Sequence, residues 1–165
     1  MTRKAIFLAL DNSGSMSGAK LQALRAAMQN VISGYQEFLD EPGNHLDFAY
    51  CFLTSAAETQ TRFFYGANRA SLGYALAALA GLDASGTGTD FDAFTADAMA
   101  FFTATLAETY DSRTLVFLTD GNPSPVGSDD LAAVSIADLL DRSPGLFQTA
   151  LGTAVDCYAA NIVGG

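Results

Sequence analysis

A three-layer α/β/α fold with a doubly wound, mostly parallel sheet is predicted by three observations. Apolar runs bounded by turn residues alternate with stretches of helical spacing along the 165-residue chain. Two of those runs, residues 5–10 and 114–119, are continuous and rich in strand formers, the form of strands buried on both faces. Each runs directly into an aspartate, Asp11 or Asp120, followed by glycine, asparagine or serine. Open sheets of this class bind ligands at the carboxyl ends of their strands.

The elements follow in order. Residues 5–10 are the first strand. Residues 20–39 form a helix, because Leu21, Leu24, Met28, Val31, Tyr35 and Phe38 recur at steps of three and four. Glu41-Pro42-Gly43-Asn44 ends it, and His45 reads as a solvated loop histidine. Residues 46–53, with Phe48, Tyr50 and Phe52, are the second strand, and 61–65 a short third. Residues 71–82 are helical and rich in small side chains. A further helix places Phe91, Phe94, Ala98, Phe101 and Leu106 on one core-facing side and ends near Tyr110. Residues 114–119 are the fourth strand. Ser128 is a suitable N-cap, with Asp129 and Asp130 in the first turn, for a helix reaching about Asp141. Residues 147–153 read as a fifth strand and 156–163 as a short helix. The whole chain, 1–165, is one domain.

The chemistry lies at the strand ends. Asp11, Ser13 and Ser15 offer one carboxylate and two hydroxyls on one loop, with no thiol or imidazole. Such an all-oxygen set suits a hard divalent cation, Mg²⁺ first, then Mn²⁺ or Ca²⁺. Asp120 would reach the same edge if both strands are parallel. Two carboxylates converging there repel each other unless a cation lies between them. The loop Ser85-Gly86-Thr87-Gly88-Thr89-Asp90 has the glycines to bring a hydroxyl close, from Thr89 or its rival Thr87. Asp11 taken alone would equally suit a turn that caps the next helix. Asp90 and Asp92 read as helix caps.

These three pieces, in this order, resemble the von Willebrand factor type A (vWA) family over nearly the whole chain. The resemblance implies a Rossmann-like sheet of strand order 3-2-1-4-5, with the third strand an antiparallel edge. It implies a metal-ion-dependent adhesion site (MIDAS) with ligands Asp11, Ser13, Ser15, Thr89 and Asp120. Asp11 and Asp120 would bind partly through water, and one open position would take an Asp or Glu from a partner protein. The family's sixth strand and last helix are missing by this reading. The chain is similar to small bacterial stand-alone vWA proteins. That similarity implies a cytoplasmic assembly or scaffold role beside complexes such as those of AAA+ ATPases.

Composition excludes other classes. The net charge of −10 argues against nucleic acid and anionic membrane as partners. The six apolar residues before Asp11 are too few for a signal-peptide core or a membrane span, so a cytoplasmic location is expected. Cys51 and Cys157 read as reduced structural residues, and without a Cys/His cluster no structural zinc is expected. The enzymatic alternative is a Mg²⁺-dependent haloacid-dehalogenase-like phosphatase. Its general acid would stand two residues after the nucleophilic Asp11, where this chain has Ser13. It also needs a late cation, and no lysine follows Lys20. A non-enzymatic binding module is therefore expected.

Overall fold

The central strand, β1 (Arg3–Asp11), is buried from Ala5 to Asp11, as expected for an apolar run covered on both faces. The structure is a computed structural model and describes residues 2–12, 16, 18–53, 60–81, 92–119 and 136–161. After β1 come α1 (Ala19–Asp40), β2 (His45–Leu53), β3 (Gln60–Phe64), α2 (Arg69–Ala80) and α3 (Asp92–Ala104). A 3-10 turn (Thr105–Ala107), β4 (Ser112–Thr119), α4 (Ile136–Leu151) and β5 (Asp156–Asn161) complete the described order.

The five strands form one sheet in the order β3-β2-β1-β4-β5, parallel except for β3, which pairs antiparallel with β2. Alternation along β1 sends Ala5, Phe7 and Ala9 to one face and Ile6, Leu8 and Leu10 to the other. The first set packs with Phe101 and Phe102 of α3 and Phe147 of α4. The second packs with Leu24 and Met28 of α1 and Leu72 of α2. The three-layer architecture and strand order expected from the sequence are those observed.

Local chemistry sets the helix ends. Asn68 caps α2 by accepting from the Ser71 backbone N–H at 2.9 Å, and Ser71 Oγ accepts from the Asn68 N–H. Arg69 makes a bidentate pair with Asp40 at 2.6 Å, joining the end of α1 to the start of α2 at the surface. The stripe on α1 is shifted from expectation. Ile32 is buried with Leu21, Leu24 and Met28, while Val31, Tyr35 and Phe38 pack at its margin. Leu106, expected on the core side, lies in the 3-10 turn and is 41% exposed. The tighter turn rotates it off the helical face, and Thr105 takes the buried position.

The last third of the chain departs most from expectation. Residues 147–151, read as the start of a strand, belong to α4, and 156–161, read as a helix, are β5. α4 runs through Pro144. Burying Phe147 against the sheet, with Leu146 and Leu151 beside it, offsets the lost backbone hydrogen bond. Gly152 at φ 70° ends the helix, its N–H donating to the Gln148 carbonyl at 2.9 Å. β5 then pairs with β4 from Thr114–Asp156 to Thr119–Asn161. The proposed cap at Ser128 lies outside the described residues.

A buried carboxylate organises the amino edge of the sheet. Asp47 of β2 is 3% exposed. Its Oδ1 accepts from His45 Nε2 at 2.9 Å and from the Gly66 N–H at 2.8 Å, and its Oδ2 accepts from the Tyr110 hydroxyl. Burial first, and then this hydrogen bond, raise the Tyr110 phenol above its usual range. Arg3 and Arg113 lie over the Tyr110 ring at 5.4 and 5.0 Å. Arg113 also donates to Thr105 Oγ1 at 2.8 Å and to Thr153 Oγ1 at 3.4 Å, tying the 3-10 turn to the α4–β5 turn. His45 is thus a half-buried partner of Asp47 at the start of β2 and not a solvated loop residue. The pairing was hidden because the preceding Gly43-Asn44 marks a turn.

Cys51 and Cys157 are both free thiols. They stand on β2 and β5 with β1 and β4 between them. At about 4.8 Å per strand the separation exceeds disulfide reach. Cys157, expected at the start of a helix, is instead on β5.

Removing the Asp47 carboxylate leaves three donors without their acceptor. Asp47→Ala is expected to lower unfolding free energy by about 3 kcal/mol, and Tyr110→Phe by about 1 kcal/mol. Urea midpoints measure both, and an unchanged midpoint for Asp47→Ala would remove the carboxylate from its organising role. Burial pushes both thiols up to about 12. Unfolded thiols ionise near pH 8.5. The folded chain therefore keeps protons that the unfolded chain releases. The thiols' contribution to stability is intact below about pH 8.5 and is lost as pH rises from there toward 12. Unfolding curves between pH 7 and 10.5 should show that decline, and a smaller one in Cys51→Ala.

Candidate metal centre

The strand order creates a switch point between β1 and β4. From β1 the chain crosses through α1 to β2 on one side, while β4 lies on the other. The strands are in register from Lys4–Ser112 to Leu10–Leu118. Asp11 and Thr119, one residue beyond that last pair, each end their strand. Thr119, the last described residue of β4, precedes Asp120 in sequence.

Asp11 is the one expected ligand among the described residues. It pairs with Leu53 of β2, follows the Leu10–Leu118 pair and is 0% exposed. A carboxylate removed from water at a sheet's carboxyl edge requires compensation from donors or from a cation. Ser13, Ser15, Thr89 and Asp120 lie outside the described residues, as do Thr87 and Asp90. Among the described residues no group of three or more His, Cys, Asp or Glu side chains converges on one point.

The elements on either side deliver the chain to this edge. α3 passes into the 3-10 turn, whose Thr105 is held by Arg113 at the start of β4. The carboxyl end of α3 is therefore at the amino edge of the sheet. Its first residue, Asp92, points the helix back toward the carboxyl edge. Thr89 precedes Asp92 by three residues in sequence. On the other side, Met16, one residue after Ser15, is 0% exposed in the cluster of α1 and α2. Met16 drew no notice in the sequence. Its position two residues before Gly18, where α1 is about to start, is the signal that could have found it.

The von Willebrand factor type A domain model matches residues 5–146. The chain belongs to the vWA domain family. No curated protein matches it in sequence. Solved structures of similar fold include the pilus adhesin SpaC from Lactobacillus rhamnosus GG in its open conformation. That match has a TM-score of 0.64 and 16% identity, over 96% of this chain and 24% of SpaC. The vWF domain of the type V pili tip protein Mfa5 from Porphyromonas gingivalis aligns with a TM-score of 0.56 and 17% identity. It covers 74% of this vWA chain and 39% of that one. A von Willebrand factor type A protein from Catenulispora acidiphila gives 0.53 and 20%, over 96% and 33%. This vWA chain thus spans a quarter to two fifths of these neighbours' lengths, and at such identities they share its fold. Among the described residues no helix is long and apolar enough to cross a membrane.

Proposed function

We propose that this vWA domain is a protein-binding module that uses a divalent cation to capture a carboxylate of its partner. The observation that carries the reading is Asp11, a wholly buried carboxylate ending the central strand at the switch point of a vWA fold. Its donor set fits a hard cation. In sequence, Ser13 and Ser15 follow Asp11, Asp120 follows β4, and Thr89 precedes α3. These five residues would hold the ion, Mg²⁺ before Mn²⁺ or Ca²⁺. The ion would supply Lewis acidity toward an anionic ligand. Only two of the five are carboxylates, so the bound cation would keep positive charge for an Asp or Glu of the partner.

The reading is non-catalytic. Ser13 stands where a phosphatase of the haloacid dehalogenase type needs an acid, and nothing in the family match or the neighbours points to such an enzyme. The assembly role beside an AAA+ ATPase rests on family resemblance alone. SpaC and Mfa5 are pilus proteins, so the comparisons lend no support to a cytoplasmic location.

Mg²⁺ or Mn²⁺ added to chelator-treated protein should raise its melting temperature, by an amount equivalent to about 2.7 kcal/mol at a hundredfold excess over Kd. Asp11→Ala should lose the rise. A wild-type protein indifferent to millimolar cation would sink the metal reading. The partner contact has its own signature. With a net charge of −10 the domain repels acidic partners at long range, so added salt should weaken binding little while chelator abolishes it. Binding that falls steeply with salt and ignores chelator would indicate a basic partner and remove the cation from recognition.

A further inference from the structure

We infer that Met16 is a positioning residue for the hydroxyl ligands, acting as the apolar anchor that holds the Asp11–Met16 loop against the core. The inference rests on the metal reading above. Asp11 and Met16 are both wholly buried and are separated by only four residues. They belong to opposite sides of the sheet. Alternation places Asp11 on the face of Ala5, Phe7 and Ala9, which α3 and α4 cover. Met16 lies in the cluster of Leu8, Leu10, Leu24, Leu72 and Leu118 on the α1 and α2 face. Both ends of this short stretch are thus fixed in the core, and on different faces.

Ser13 and Ser15 lie between the two in sequence. Consecutive Cα atoms are about 3.8 Å apart, so a residue seated in the core restricts the hydroxyl bonded next to it in sequence. Mg²⁺ tolerates little departure from octahedral geometry, so loosening either end of so short a loop degrades its ligands. Met16 is not itself a ligand: a thioether is too soft for this cation, and its side chain is in the apolar core. Its unbranched side chain suits a seat between a strand end and the start of a helix. Leu10 and Leu118, the last paired core residues before the two aspartates, share its cluster, so the anchor and both strand ends rest on one packed unit.

The test measures Mn²⁺ affinity by the loss of the free-ion electron paramagnetic resonance signal, with apo thermal stability measured in parallel. Met16→Ala should weaken Mn²⁺ binding about tenfold to a hundredfold, the range for residues that orient metal ligands. Met16→Leu, which conserves volume, should restore wild-type affinity. Leu72→Ala removes a buried side chain from the same cluster on α2 and should lower stability while leaving Mn²⁺ affinity within twofold. If Met16→Ala does not fold cooperatively, Met16→Val replaces it and should still weaken Mn²⁺ binding more than Leu72→Ala does. Wild-type affinity in a folded Met16→Ala or Met16→Val protein overturns the inference, as does an equal affinity loss in Leu72→Ala. Absence of Mn²⁺ binding by the wild-type protein overturns instead the metal reading beneath it.

Discussion

β1 is hydrogen-bonded on both sides, to β2 from Arg3–His45 to Asp11–Leu53 and to β4 from Lys4–Ser112 to Leu10–Leu118. It is also covered on both faces, and the rest of the structure depends on that double enclosure. A strand so enclosed can carry no polar side chain along its middle, and Ala5 to Leu10 carries none. Its polar side chains therefore fall at its two ends, Arg3 and Lys4 at the amino end and Asp11 at the carboxyl end. The neighbouring β4 obeys the same rule, with Leu115, Phe117 and Leu118 buried before the chain reaches Asp120. Parallel pairing then brings the two strand ends to the same edge. The placement of the candidate site follows from the cost of burying polar groups in the sheet's interior.

The two edges of the sheet divide the polar work. At the amino edge Asp47 accepts hydrogen bonds from His45, Gly66 and Tyr110, donors that come from β2, the β3–α2 turn and the segment before β4. Each donor is one the chain supplies itself, so this carboxylate serves the fold. Arg113 extends the same set of ties to the α4–β5 turn. At the carboxyl edge the described polar residue that ends β1 is Asp11. The ties at the far edge join β2 to the segments that follow β3 and precede β4.

Departures from the sequence reading have particular causes. Pro144 disfavours a helix locally, but burial of Phe147 in the core of α3 and α4 outweighs it, and the helix continues to Leu151. Residues 156–161 contain Cys157, Tyr158 and two alanines, a composition with no firm period, and pairing with β4 decides in favour of strand. His45 follows a turn, and only the fold brings Tyr110, 65 residues further along the sequence, to the same carboxylate. The helix that the spacing extends to Leu106 ends two residues earlier, at Ala104.

Composition and spacing alone determined the class of this protein: continuous apolar runs bounded by turn residues, stripes with period 3.6, and aspartates placed where the apolar runs stop. Those signals are local, because they reflect how each segment separates water from core. The ligand types at the candidate site are equally local, since a hard cation asks for oxygen whatever the fold. Tertiary structure decided what depends on distant partners. It chose helix or strand for the described residues of the last third of the chain, joined His45 to Asp47 and Tyr110, and placed β4 beside β1 so that both strands end at one edge. It also seated Met16 in the core of α1 and α2. A segment with weak intrinsic preference takes the conformation that its neighbours in space can bury and hydrogen-bond, and those neighbours are not adjacent in the sequence.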